Sequence, residues 1–326
     1  MTSPTGWDVT GYYAAQLLPE QAPPDATVRA VELGIITPRP LQLGDILSGA
    51  FRAVRYSPVT MFGVTLMGIL IAQVLALGVG AILSREFDLA GFSDEFGGLG
   101  PMATWATFAS YLSTALATLV LEIGLTYAVH EAVFARRATP ADTLRRMGSR
   151  VGAMLGFSAL VGVGIIVLAL LIAFVANTAS GTENAGLWLV LIPLVLATLV
   201  VVPWLSIRLL LVPPAIAIEK LGPLRAIRRS WELTRGQFWR LFGIYLLSSL
   251  LISMATNMVS TVFSFAALMV SVANQEVGLV AAMVASTVAT VVLSLPLTTA
   301  VVTLLYVDTR IRHEGYDLTI AEALYG

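Results

Sequence analysis

Residues 223–250 read PLRAIRRSWELTRGQFWRLFGIYLLSSL, and the two halves of this stretch follow different rules. In 223–235 the apolar Leu224, Ile227 and Trp231 share one helical face, while Arg225, Arg228, Arg229 and Arg235 cluster elsewhere. A basic amphipathic helix of this kind lies at the boundary between water and hydrocarbon, with its arginines reaching anionic phosphates. Gly236 is placed to end it, and Phe238 and Trp239 suit the aromatic belt of a bilayer surface. From residue 239 onward the chain turns apolar for longer than the roughly 20 helical residues that a bilayer core requires.

The whole chain has this character. Of its 326 residues 57% are apolar and 12% are Asp, Glu, Lys or Arg, about half the charged fraction of a soluble domain, which is roughly 25%. The mean hydropathy is +0.85. So few charges cannot cover a water-soluble globule, which excludes an ordinary soluble enzyme and makes the membrane the solvent. Apolar stretches near 58–83, 103–133, 151–176, 187–211, 239–272 and 278–307 are each long enough to span. The expected fold is an all-α integral membrane protein of six transmembrane helices. A net charge of −1 gives no basic field for nucleic acid, and the absence of cysteine excludes disulfides and thiolate chemistry.

Residues 1–40 carry Pro4, Pro19, Pro23, Pro24, Pro38 and Pro40 without a sustained apolar period, so they read as a disordered tail. They lack the basic and apolar regions of a signal peptide. The six-span domain with its interfacial helices is then 41–312, followed by a short carboxyl-terminal segment, 313–326. Of the 19 Lys and Arg residues all but Arg85 fall in the two terminal segments or in the second and fourth connections. The other connections hold Glu86, Asp88, Asp94, Glu95, Glu183 and Glu276. By the positive-inside rule both termini are cytoplasmic, in a multi-pass protein of the plasma membrane.

Three spans open alike, with Met61-Phe62-Gly63-Val64-Thr65, Met154-Leu155-Gly156-Phe157-Ser158 and Leu241-Phe242-Gly243-Ile244-Tyr245. Each follows a basic amphipathic segment and begins on the same side. This pattern predicts three parallel repeats of an interfacial helix plus a helical hairpin; the alternative is chance likeness among apolar strings.

Polar residues recur at every fourth position within some spans, as Ser110, Thr114, Thr118, Glu122, Thr126 and His130 do in the second. Ser249, Ser253, Asn257 and Thr261 do so in the fifth, and Ser286, Thr290, Ser294 and Thr298 in the sixth. Residues four apart form a ridge along a helix. Spans two, five and six are therefore expected to face one another or line a polar cavity, leaving spans three and four more lipid. Glu122 lies near mid-membrane, where a charged acid costs about 2.5–3.5 kcal/mol, so it is a functional candidate, either protonated or hydrogen-bonded to Asn257. The intramembrane candidates are Glu122, Thr118, Thr126, Asn257, Ser253, Thr290 and Ser294. For the hydroxyls the alternative role is packing between helices, at roughly 0.6 kcal/mol per contact. The candidates for anionic headgroups are Arg225, Arg228, Arg229, Arg235, Arg145 and Arg146, against the plainer alternative of positive-inside anchoring.

Catalytic motifs are not found: no HExxH, Walker loop, nucleophile elbow or GxGxxG stands in a suitable context. No catalytic residue, metal site or cofactor is expected. Asp308 to Arg312 and Arg310 to Glu314 are i,i+4 pairs that would extend the last span as a solvated turn ending at Gly315.

The runs GIITPRPLQLGDILSGAFRAVRYSP (34–58), RRSWELTRGQFWRLFGIYLL (228–247) and YVDTRIRHEGYDL (306–318) resemble actinobacterial members of the glycerophosphoryl diester phosphodiesterase membrane-domain family. The resemblance covers nearly the whole chain from residue 34. It implies a membrane domain that in some members sits beside a catalytic barrel supplying the metal-binding residues. The tail and six spans use up these 326 residues, so no catalytic residue is carried over. The expected function is non-enzymatic: binding, organising or scaffolding envelope lipid or lipid-processing machinery. Its partners would be anionic membrane lipids and proteins of envelope biosynthesis. The alternative is a lipid or small-solute transporter or scramblase using a polar path around Glu122.

Overall fold

The computed structural model describes Ile35 and residues 41–86, 101–181, 185–271 and 275–316. The expected tail, apart from Ile35, lies outside the described residues, as do Asp88, Asp94, Glu95, Glu183 and the end of the carboxyl-terminal segment. The described chain is helical: α1 Leu43–Tyr56, α2 Val64–Glu86, α3 Pro101–Val133, α4 Pro140–Gly181, α5 Ala185–Leu209, α6 Val212–Ile218, α7 Pro223–Thr234, α8 Phe238–Ser271 and α9 Gln275–Glu314. A π-helical turn, Val59–Gly63, leads into α2. Six helical stretches are long and apolar enough to cross a membrane: Val59–Glu86, Thr104–Val133, Pro140–Thr178, Leu189–Ile218, Phe238–Ala266 and Gly278–Glu314. They coincide with the six apolar runs of the sequence, so the protein is a multi-pass membrane protein.

Helix ends follow local chemistry. The Gln42 N–H donates to Asp45 Oδ2 at 3.0 Å where α1 begins. The Asp142 N–H donates to Thr139 Oγ1 at 3.2 Å, just ahead of Pro140 in the first turn of α4. Past α7, Gly236 takes φ +81°, and Gly315 takes φ +63° beyond α9, conformations that suit glycine.

The three repeats are not alike in the structure. α1 and α7 are separate amphipathic helices before their spans, broken by Ser57-Pro58 and by Gly236. The corresponding basic segment 140–150 instead runs unbroken into span three as the first turns of α4. No proline interrupts it, and Gly148 and Gly152 stay helical, so nothing forces a break.

α9 is the axis of the bundle, packing on α8, α3, α1 and α2. The α2–α3 pair is close because Gly80 faces the backbone of Ala106, where an added Cβ would come within 2.8 Å. Fully buried Leu41, Ile46, Leu125, Leu211, Ile216, Leu241, Leu304 and Tyr306 form a core at the arginine-rich end. The α4–α5 hairpin turns Ile166, Leu170, Phe174, Leu196 and Val200 outward. Such a surface is stable only against lipid, which matches the expectation for spans three and four. Spans two, five and six are arranged differently from the expectation. α9 packs extensively on both α3 and α8, while α3 and α8 scarcely touch, so the second and fifth spans each face the sixth more than each other.

Candidate functional site

The arginine-rich end gathers the polar chemistry into distinct groups. In the first, the fully buried Asp308 carboxylate accepts from Leu41 N at 2.7 Å, from Arg240, and from Arg312 Nε at 3.1 and 3.2 Å. The Leu41 carbonyl in turn accepts from Arg240 Nη2 at 2.6 Å and Arg312 Nη2 at 3.1 Å. One carboxylate thus ties the start of α1 to α8 and α9. The pairing that the sequence places in a solvated turn is internal, because Leu41 and α8 cover it.

In the second group, Arg229 Nε donates to both oxygens of Glu219 at 3.1 and 3.0 Å, and its Nη2 reaches Glu314. Arg310 Nε donates to Glu314 Oε2 at 2.9 Å and lies 3.6 Å from Glu219, to which the Tyr306 hydroxyl also donates. Burial works against the Arg229 charge, but the hydrogen bonds to Glu219 and Glu314 outweigh it and raise its pKa. Arg229 therefore joins α6, α7 and α9 and is not free for a headgroup, which corrects its place among the candidates.

The third group is a crevice of about 380 Å³ between α3, α4 and α6. Arg145, Arg146, Arg150 and Lys220 line it with Tyr127, Ser149, Ile123, Ala217 and one acid, Asp142. The Arg146 guanidinium lies 4.6 Å from the Tyr127 ring centre. Arg150 Nη1 donates to the Lys220 carbonyl at 3.4 Å, and Lys220 itself takes φ +58°. Among the described residues none of the four cations forms an ion pair, so four like charges share one opening with the single acid Asp142.

Arg225, Arg228 and Arg235 are exposed on or beside α7, with Arg228 paired to Glu232 at 2.9 Å. Leu224 and Trp231, on the apolar face of that helix, remain exposed as an interfacial helix requires.

Within the spans, Thr126 is buried, Thr118, Glu122, Thr290 and Ser294 are part-buried, and Ser253 and Asn257 are exposed. The Asn257 amide donates to Ser253 O at 2.8 Å on its own helix, so it is not the partner of Glu122. Among the described residues no hydrogen bond reaches the Glu122 carboxyl, although Tyr245 on α8 is within its electrostatic range. Ser253, Thr261, Ser286 and Thr298 each donate to a carbonyl three or four residues back. Their hydroxyls are thereby satisfied without a partner helix. The α8 face turned inward carries Ser248, Thr256 and Ser260, one position along from the expected ridge.

Sequence reasoning passed over Gln73. This buried amide accepts from Ser110 Oγ at 2.7 Å and donates to Thr114 Oγ1 at 3.0 Å, so the upper ridge of span two is bonded to span one. A lone glutamine in an apolar run was the available signal. It also passed over Glu219, which lies just past the apolar run of α5 and α6.

No curated protein and no solved structure matches the chain. The likeness that the sequence suggests from residue 34 onward is found over a narrower region, from the start of α5 to the end of α9, which includes both ion-paired groups. Residues 182–315 match the family model of the membrane domain of glycerophosphoryl diester phosphodiesterase.

Proposed function

We propose that this membrane protein is non-enzymatic and binds anionic phospholipid headgroups in the crevice between α3, α4 and α6, with the arginine-rich end and both termini on the cytoplasmic side of the plasma membrane. The observation that carries this reading is the convergence of Arg145, Arg146, Arg150 and Lys220 on one opening beside a single acid. Basic groups near an anionic leaflet contribute about 1 kcal/mol each, and guanidinium groups grip phosphate oxygens in pairs. Held lipid would make the protein an organiser of envelope lipid or a platform for the enzymes that process it.

Native mass spectrometry of the purified full chain tests this. Wild type is expected to retain phosphatidylglycerol over phosphatidylcholine, and the double variant Arg145→Gln/Arg146→Gln to lose that preference while staying folded. Equal retention of the two lipids by wild type would defeat the proposal.

A second reading, a lipid or solute path past Glu122, draws support from a carboxyl inside a span that no hydrogen bond from the described residues satisfies. In vesicles, Glu122→Gln is expected to slow the exchange of fluorescent lipid between leaflets. Unchanged exchange would remove the carboxyl from any such path.

A further inference from the structure

Arg208 closes α5 at the level of three tryptophans. Trp204 lies one turn before it, α7 places Trp231 and Thr234 over it, and Trp239 stands 78% exposed at the start of α8. The guanidinium carbon is 5.0 Å from the Trp231 ring centre, 5.6 Å from Trp204 and 5.8 Å from Phe238. The two indoles meet edge to face at 5.4 Å. Rings around a guanidinium favour its charge, but they leave its N–H edge to be satisfied in the plane.

That edge is under-satisfied. Nη1 donates to Thr234 Oγ1 at 3.2 Å, and Nε is buried without an acceptor. Among the described residues no carboxylate lies within ion-pair distance of Arg208. Of the other arginines at this end, Arg229, Arg240, Arg310 and Arg312 each have one, whereas the part-buried Arg150 of the crevice does not. A part-buried cation lacking a counter-ion is unfavourable unless something else supplies the charge. Tryptophan belts mark the depth of the headgroups, where the available anion is the phosphodiester of the bilayer itself.

We infer that Arg208, held between Trp204 and Trp231, binds the phosphodiester of a membrane phospholipid at the bilayer surface. The site is separate from the crevice between α3, α4 and α6 and independent of whether that crevice takes a headgroup. It recognises the phosphate and not the net charge of the lipid, so phosphatidylcholine should fill it as well as phosphatidylglycerol. A lipid seated there would bridge α5, α7 and α8.

The test is native mass spectrometry of the full chain titrated with phosphatidylcholine, with diacylglycerol as the phosphate-free control and inorganic phosphate as competitor. Wild type is expected to retain phosphatidylcholine. Arg208→Gln should hold it about tenfold more weakly, as the loss of a charged hydrogen-bond pair implies, and Arg208→Lys should fall between. Diacylglycerol should not be retained, and millimolar inorganic phosphate should not displace the lipid. Retention unchanged in both Arg208 variants would overturn the inference, as would diacylglycerol binding as well as phosphatidylcholine. Displacement by inorganic phosphate would also overturn it, because the site would then be one for free anions. If Arg208→Gln does not fold, Arg208→Lys decides alone, by weakening retention or leaving it as in wild type.

Discussion

Arg229, Arg240, Arg310 and Arg312 sit among α7, α8 and α9 with the carboxylates of Asp308, Glu219 and Glu314 against them. Arg145, Arg146, Arg150 and Lys220 gather between α3, α4 and α6 with Asp142 as the one acid of their crevice. Both groups lie at the same, arginine-rich end of the bundle, yet they do different work. In the first, charge is consumed inside the protein: each arginine is part-buried, and its partner lies on another helix or secures a helix end. In the second, charge is left over, on the flank where the α4–α5 hairpin stands in lipid. Basic residues near a membrane are thus of two kinds, and acids brought in from distant parts of the chain decide which is which.

The sharpest way to break the comparison is Asp308→Ala. It removes the carboxylate shared by Arg240, Arg312 and the Leu41 N–H, leaving two cations with only the Leu41 carbonyl, and a backbone donor unpaired. Breaking a buried pair from one side costs about 3–5 kcal/mol. The lower end applies here, because Arg240 and Arg312 side chains are each 30% exposed and can recover water. Unfolding in detergent should show that loss, and cleavage by protease ahead of α1 should become faster. Asp308→Asn keeps an acceptor for Leu41 and should lose less. A stable Asp308→Ala protein would mean that the matched arginines are surface-like after all.

Glu219→Gln should have the next largest effect. Arg229 would keep Glu314, and Tyr306 would keep an acceptor, but the charge-assisted bonds to Glu219 would go. About 1–3 kcal/mol of stability is expected to be lost, read as a lower melting temperature in detergent with the anionic-lipid preference intact. A change in lipid preference at constant stability would place Glu219 with the crevice instead.

Much of this was legible in the sequence, for identifiable reasons. The six spans follow from apolar runs of sufficient length, and Gly236, which the sequence places at the end of α7, stands just past it with φ +81°. The Asp308–Arg312 and Arg310–Glu314 pairs follow from helical spacing alone. Their burial does not, because Leu41 stands 267 residues from Asp308 along the chain. On α8 a four-residue period admits neighbouring rows. The row of Ser249, Ser253, Asn257 and Thr261 was read, while the inward row of Ser248, Thr256 and Ser260 lies one residue, about 100°, around the helix. Periodicity locates a ridge but not the side from which a neighbour approaches. For the same reason Arg229 and Arg145 looked equivalent, since nothing local distinguishes an arginine that meets Glu219 from one that meets none.

The smallest stability effect belongs to Arg145→Gln/Arg146→Gln, and its smallness is informative. Both side chains are exposed, and among the described residues neither has a carboxylate to lose. Surface substitutions of this kind stay within about 0.5 kcal/mol, and easing the repulsion within the crevice can shift the sign toward stabilisation. Melting in zwitterionic detergent should therefore match wild type. In vesicles containing phosphatidylglycerol, wild type alone should gain stability from the lipid, since a ligand that binds only the folded state stabilises it by mass action. Raising the salt concentration should shrink that gain, because exposed charges are screened over about 8–10 Å at physiological ionic strength. If the double variant instead melted well below wild type in zwitterionic detergent, these arginines would be structural like Arg229, and the contrast between the two groups would fail.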